Sequence, residues 1–252
     1  ATMTKRQLLQ PLILILLLSI FTTTHSSDPS THNGGSAMAM AGKGCVAIAV
    51  DKRFGSGPQL VNISSRRILT VHSKLLVGFT GLDSDVQNIA QELSIHVSSK
   101  SARESSLFRN SKGTKSRISP RAMAALTSNV LYSKRSSPYY CEPIIAGLEL
   151  ETDQQQKANS GAIYKPFLCS QDVIGAQLKT RDFVCCGAAK NALYGTAEAM
   201  WRPNLNPEEL ARVCARAFMS ALERDCLSGY GAVVYVITED GIVRQELLSR
   251  TD

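Results

Sequence analysis

The stretch Ser36-Ala-Met-Ala-Met-Ala-Gly-Lys-Gly-Cys-Val-Ala-Ile-Ala-Val-Asp51 is the strongest indication of the fold. Two short apolar runs flank a three-residue break that contains two glycines, a pattern typical of a β-hairpin. Further strand-like runs follow at Leu60-Val61, Ile68-Leu69 and Leu75-Leu-Val-Gly-Phe79. The N-terminal third of the chain is therefore predicted to be mostly sheet.

After Gly81 the spacing of apolar residues changes, and this predicts a pair of helices. From Leu82 to Val97 apolar residues recur at steps of three and four, which places them on one face of a helix. A second helix is predicted over residues 120–134, with a basic, Ser-rich loop over residues 100–121 joining the two.

A second pair of helices is predicted nearer the C-terminus. One starts near Ala188, and the other begins at Asn206, which can cap a helix. Pro207 suits the first turn, and Glu208 and Glu209 favour the positive end of the helix dipole.

Strands are also predicted between and after the helix pairs, and the last two form a hairpin: Pro143–Leu148, Tyr164–Cys169, Phe183–Cys186, Ala232–Ile237 and Ile242–Leu247. Because helices occur in pairs and hairpins dominate, antiparallel sheets are favoured over a doubly wound parallel sheet. The predicted fold class is α+β, a four-layer αββα sandwich.

The formal charge of +7 is concentrated in one segment. Residues 100–121 contain seven basic side chains and one acidic side chain, so they contribute +6. A charged, Ser-rich connection is more often a solvated loop than a binding face. We therefore predict no nucleic-acid partner. The polar segment 151–161 is interpreted as a tolerated surface insertion in a hairpin.

The seven cysteines and four histidines show no metal-binding pattern. The cysteine count is odd, there is no C-x-x-C, and no histidine has zinc-ligand spacing. Several cysteines lie in apolar runs, where a thiol behaves as a small core residue. We predict reduced, structural thiols, no metal and no cofactor.

The N-terminal segment indicates secretion, which disagrees with the reduced thiols predicted above. Lys5 and Arg6 precede the apolar run Leu12–Phe21, and a polar stretch follows, which is the layout of a secretory signal. The run is too short to span a bilayer as a helix. The triplet Asn62-Ile63-Ser64 is a glycosylation acceptor that could matter only on a secretory route. A secreted protein is therefore an alternative interpretation.

Many short stretches together resemble the proteasome β subunits, most closely those of the β type-3 kind. The resemblance runs from about Asn33 to Asp252 and implies the fold of the N-terminal-nucleophile hydrolases. It also implies a division into a leader or propeptide-like extension, residues 1–33, and a β-type domain, residues 34–252. The stretches include Asn33-Gly-Gly35, Met38-Ala-Met40, Cys45–Ala49, Asp51-Lys-Arg-Phe-Gly55, Pro138-Tyr-Tyr140, Glu142–Leu148, Lys165-Pro-Phe167 and Arg224–Gly229.

The resemblance also implies a catalytic site that this sequence has lost. Active members release an N-terminal Thr by cleavage after a Gly, so that one residue supplies both the hydroxyl nucleophile and the amine base. Asp51 matches the family's carboxylate, which puts Gly35 at the nucleophile position and Arg67 at the position of a Lys. Gly35 has no side chain, and Arg67 stays protonated at any working pH.

The remaining site positions are mixed. A Ser of active relatives appears here as Ala188, whereas Asp225 and Ser228 match the family. We expect Asp225 and Ser228 to hydrogen-bond within the turn after the last helix. No catalytic residue is therefore predicted.

Cleavage between Gly35 and Ser36 would leave Ser36 as an alternative nucleophile. Ser36 is one residue out of step with Asp51, and such a slip turns a strand side chain to the other face. We expect Ser36 to point away from Asp51 and Arg67.

The resemblance implies a non-catalytic structural β-ring subunit of the 20S core particle, in ATP- and ubiquitin-dependent protein degradation. The implied partners are other β subunits in a heptameric ring, the opposite β ring and the adjacent α ring. The implied location is cytoplasm and nucleus, with no membrane partner.

Overall fold

The structure is a computed structural model that describes residues 29, 32–63, 67–107, 117–150 and 164–248. For residues 100–107 it describes the backbone alone. Most of the predicted leader and the insertion at 151–161 lie outside these residues. None of the helices within them combines the length and apolar character needed to cross a membrane.

The first sheet contains the hairpin predicted for residues 36–51. Its order is β10-β1-β2-β11-β12, and every neighbouring pair is antiparallel. The strands are β1 Ser36–Ala41, β2 Val46–Asp51, β10 Phe183–Gly187, β11 Ala232–Ile237 and β12 Ile242–Leu247.

The second sheet is also antiparallel, in the order β5-β6-β7-β8-β9. Its strands are β5 Ile68–His72, β6 Leu75–Gly81, β7 Cys141–Leu150, β8 Tyr164–Gln171 and β9 Gln177–Thr180. Between the sheets in sequence, β3 Phe54–Ser56 and β4 Gln59–Asn62 form a separate hairpin.

Four helices lie within the described ranges, in two pairs: α1 Asp83–Leu107, α2 Pro120–Ser133, α3 Lys190–Met200 and α4 Pro207–Leu222. The start of α4 is as predicted. Asn206 is its N-cap, and the Asn206 backbone N–H donates to the Glu209 carboxylate at 3.4 Å.

The apolar pattern of the strands explains the four layers. Strands apolar on both faces must be covered on both sides. One set of side chains, including Ala37 and Ile48, packs between the two sheets. The alternate set on β1, Met38 and Met40, packs against α3 and α4, while α1 and α2 cover the second sheet around Val77. The predicted αββα sandwich is confirmed.

One local prediction is wrong, and one edge strand was not predicted. The basic segment 100–121 was predicted to be a loop, but its first part belongs to α1, which continues to Leu107; α2 begins at Pro120, as predicted. Ala102 and Glu104 are good helix formers, so the basic stretch does not end the helix. The sequence also gives no indication of β9, because Gln177-Leu-Lys-Thr180 is an exposed edge strand with no apolar alternation.

Candidate functional site

The positions singled out by the resemblance lie together at the N-terminal end of β1. Gly35 directly precedes β1, and Asp51 ends the neighbouring β2. Arg67 enters from the start of β5, and Ala188 follows β10, which pairs with β1 on its other side. Ser228 lies in the connection between α4 and β11. Two sheets and two connections therefore build one site.

Gly35 is held by its backbone and leaves no room for a side chain. Its N–H donates to the Leu227 carbonyl at 2.8 Å, and its carbonyl accepts from the Ala188 N–H at 3.0 Å. Its φ is +95°, a conformation that favours glycine. A Cβ at this position would overlap the guanidinium carbon of Arg67. The space that a side chain at position 35 would need is therefore occupied by Arg67.

Asp51 is fully buried and is the acidic centre of the site. Its Oδ1 accepts from the Ser36 backbone N–H at 3.2 Å, and its Oδ2 accepts from the Gly229 N–H at 3.3 Å. The Nε of Arg67 lies 3.3 Å from Oδ1. Burial raises the pKa of Asp51 to about 6, while Arg67 and the two N–H donors act to lower it. At neutral pH the carboxylate is therefore mostly ionised and paired with Arg67.

Arg67 is fully buried, and its hydrogen bonds are incomplete. Its Nη2 donates to the Arg53 carbonyl at 2.8 Å. Within the described residues, Nη1 has no hydrogen-bond partner, and the ion pair through Nε lacks hydrogen-bond alignment. A buried guanidinium fixed in this way supplies charge, and it cannot accept a proton from a nucleophile.

A second buried arginine, Arg53, is a site residue that the sequence analysis missed. Its Nη2 donates to the Gly57 carbonyl at 2.6 Å, and its Nη1 donates to the Leu227 carbonyl at 3.3 Å. A Cβ on Gly55 would overlap its guanidinium. The available signal was its place in the Asp51–Gly55 stretch that carries the resemblance, but an arginine beside a strand is ordinarily exposed.

Ser36 lies at the site, beside Ser228 and Asp51. Its Oγ lies 2.7 Å from the Ser228 Oγ and accepts from the Ala189 N–H at 2.9 Å. Its backbone N–H donates to Asp51, so Ser36 contacts Asp51 through its main chain, whereas the prediction concerned the direction of its side chain. The register of β1 and β2 sets Ser36 opposite Asp51. Because Ser36 follows Gly35 by one residue, its hydroxyl points to the other side of the strand from an added Cβ on Gly35, which would meet Arg67.

Asp225 and Ser228 do not act together. Asp225 Oδ1 accepts from the Leu227 N–H at 3.2 Å, a bond within the turn, as expected. Ser228 bonds instead to Ser36, far away in sequence, so the prediction of a local turn bond is wrong for Ser228. Sequence alone could not indicate this bond, because the tertiary fold brings the turn to the start of β1.

The cysteines offer no activated thiol at this site. All seven are free, and six are buried. Burial raises the pKa of Cys45 and Cys169 to about 11 and that of Cys141 and Cys214 to about 12; it also raises the pKa values of Cys185 and Cys186. Such thiols stay protonated and are poor nucleophiles. In the part of the chain that the structure describes, no group of His, Cys, Asp and Glu residues is arranged to hold a metal ion.

Comparisons with known proteins show which family this chain is similar to. A family model described as proteasome subunit matches residues 31–237. The chain is 39% identical to proteasome subunit beta type-3 of Picea mariana over 221 residues, which is 88% of this chain and 98% of the relative. It is 36% identical to the subunit of the same name from Trypanosoma brucei brucei over 222 residues and 34% identical to that from Drosophila melanogaster over 221, with the same shares covered.

Proposed function

The chain belongs to the proteasome subunit family, and we propose that it is a non-catalytic β-ring subunit of the 20S core particle. One observation carries the proposal: the nucleophile position is Gly35, and the guanidinium of Arg67 occupies the space of the missing side chain. The chain contributes to proteolysis by shaping the chamber and contacting neighbours that cleave.

The chemistry of the neighbouring positions supports an inactive site. Arg67 replaces a Lys that could share a proton, and Ala188 replaces a hydroxyl. The main-chain nitrogen of Gly35 is an amide bonded to Leu227, so it does not serve as an amine base. Asp51 remains, but its role here is to neutralise buried guanidinium groups.

The proposed partners are the other β subunits of a heptameric ring, the opposite β ring and the adjacent α ring, and the proposed location is cytoplasm and nucleus. A structural role of this kind needs large complementary surfaces, as in obligate complexes. The proposed mature subunit consists of residues 34–252. His32 and Asn33 lie just before this boundary, but both contact the domain. The His32 carbonyl accepts from the Gly57 N–H, and the Asn33 carbonyl accepts from the Gly55 N–H.

Native size tests the assembly. We expect the tagged full chain in native extract to co-migrate with a particle of several hundred kilodaltons that hydrolyses peptides and contains other proteasome subunits. Elution as a monomer from the same extract would contradict the proposed role. The exposed-face variant Arg212→Gln serves as a control for tag and charge effects.

A serine peptidase that uses Ser36 is the second candidate. The observation in its favour is the bond between Ser36 and Ser228, a position that matches active relatives. We expect the isolated chain to hydrolyse no peptide substrate. If the chain did hydrolyse a peptide, Ser36→Ala and the buried control Ser170→Ala would be compared. Loss of hydrolysis in Ser36→Ala alone would show that the chain is a serine peptidase and would refute the proposal of an inactive subunit.

A secreted protein that reuses the fold is the third candidate, because residues 1–27 have the layout of a signal. N-terminal sequencing of the native protein separates the two routes. We expect a start close to Asn33, whereas a start near Ser27 would favour secretion.

A further inference from the structure

A charged groove lies far from the degenerate site, at the end of the second sheet where β8 begins and β9 ends. It is a cavity of about 520 Å³. Lys165 at the start of β8, Lys179 on β9 and Arg181 just after β9 line it, and all three are exposed. Arg121 from the first turn of α2 closes one side. Three separate elements thus bring basic side chains to one concave surface.

The groove has a strong excess of positive charge. Four of its lining residues are basic, and one, Glu149, is acidic, so the formal charge is +3. Glu149 accepts from the Arg121 Nε at 2.7 Å and neutralises part of that guanidinium. Like charges gathered in a concavity raise the local positive potential and attract anionic groups. The net positive charge of the groove therefore favours a ligand with several negative charges.

The floor of the groove is apolar. Pro166, Phe167 and Leu168 also line the groove; Leu168 is buried between the two sheets, so the apolar side chain on this face is Phe167, which keeps 8% of its surface exposed. An apolar floor with a charged rim suits a ligand that combines an apolar side chain with flanking carboxylates. A polymer whose charge is carried entirely on phosphates would leave this floor without a partner.

We propose that this groove binds an acidic segment of a partner polypeptide, in which Asp or Glu residues flank one apolar side chain. The carboxylates lie against Lys179 and Arg181, and the apolar side chain contacts Phe167. The site goes beyond the proposed ring-subunit function and does not involve the positions around Gly35.

Binding of a defined peptide tests the proposal on the full-length chain. The probe is a blocked, fluorescent peptide of about ten residues in which Asp and Glu surround a central Leu, read by anisotropy. We expect saturable binding that weakens with salt, because the contacts at the rim are screened. Lys179→Gln combined with Arg181→Gln should weaken binding about tenfold through the loss of two rim contacts.

A change of opposite sign sharpens the test. Among the described residues that line the groove, Glu149 is the one acidic group, so Glu149→Gln removes that charge, frees Arg121 and should tighten binding about threefold. The matched control Arg212→Gln with Arg216→Gln removes the same charge from exposed positions on α4 and should leave the affinity unchanged. Circular dichroism checks that each variant is folded.

Three outcomes would overturn the proposal. The first is that the peptide shows no saturable binding. The second is that a peptide with Asn and Gln in place of Asp and Glu binds equally well. The third is that a single-stranded oligonucleotide binds more tightly than the peptide and that the groove variants weaken its binding too. None of these bears on co-migration with the large particle, so the ring-subunit function stands or falls separately.

Discussion

The guanidinium of Arg67 occupies the space into which a side chain at position 35 would project, so Arg67 can lie here only beside a glycine. A side chain at position 35 requires Arg67 to move, and Arg67 is held by Asp51 and by the Arg53 carbonyl. The residue types at positions 35 and 67 are therefore physically coupled.

Gly35→Ala should lower the free energy of unfolding by about 3 kcal/mol or more, because positive φ and overlap with Arg67 act together. The matched control is Gly57→Ala, which has φ +56° and nothing near its added Cβ, and should cost about 1–2 kcal/mol. Chemical denaturation measures both. In an Arg67→Ala background the cost of Gly35→Ala should fall towards that of the control; an unchanged cost would contradict the coupling.

Asp51→Asn should destabilise the fold by about 1–3 kcal/mol, since the amide NH2 cannot accept from one of the two buried N–H donors, Ser36 and Gly229, that the carboxyl group satisfies. Arg67→Met should cost less near pH 5, because Asp51 can take up a proton whereas an arginine cannot release one. Urea denaturation compares the two variants. Breaking the exposed Lys52–Glu246 pair with Lys52→Gln is the control and should cost about 0–1 kcal/mol. Equal costs for Asp51→Asn and Arg67→Met would refute the asymmetry.

The stability of the chain should depend on pH through Asp51. Its pKa rises from 3.8 to about 6 on folding, so between these values the folded state binds more protons than the unfolded state. The contribution is fully present below about pH 4, falls as pH rises and is lost above about pH 6. Denaturation at several pH values, with Asp51→Asn subtracted, should show this decline. A difference that rises with pH would reverse the assignment.

Ser36→Ala should cost more than Ser228→Ala, with about 2 kcal/mol expected for the first and about 1 kcal/mol for the second. The reason is that loss of the Ser36 hydroxyl leaves both Ser228 and the Ala189 N–H without a partner, whereas loss of the Ser228 hydroxyl keeps the bond from Ala189. Thermal and chemical denaturation give both values. Ser133→Ala at the end of α2 is an exposed control and should change stability little. The reverse order would show that the hydroxyl pair is not held as described.

One thiol in seven should react rapidly with a disulfide reagent in the native chain. Cys226 is exposed, while the other six are buried and burial raises their pKa values. Thiol counting by absorbance should give one fast-reacting thiol per native parent chain and no fast-reacting thiol in native Cys226→Ser. After the parent chain is unfolded, all seven thiols should react. Fast reaction of a second thiol in the native state would contradict the packing around the buried cysteines.

The sequence predicted some features of the site and not others, for identifiable reasons. Gly35, Asp51, Arg67 and Ala188 could be located through the resemblance, which sets their distances from Asp51 along the chain or their place after a glycine. The contact between Ser36 and Ser228 could not, because it joins residues 192 positions apart. The burial of Arg53 was also missed, since its partners are backbone carbonyls, which have no sequence signature.

By itself, the sequence determined the layered architecture and the absence of a side chain at position 35. Apolar periodicity follows local geometry, so it distinguishes strands from helices and shows which strands need cover on both faces. Only the tertiary structure decided what fills the space beside Gly35. Burial excludes water, and a charge without water must find its partner in space wherever the chain supplies one; for Arg67 that partner is Asp51, and together they occupy the site.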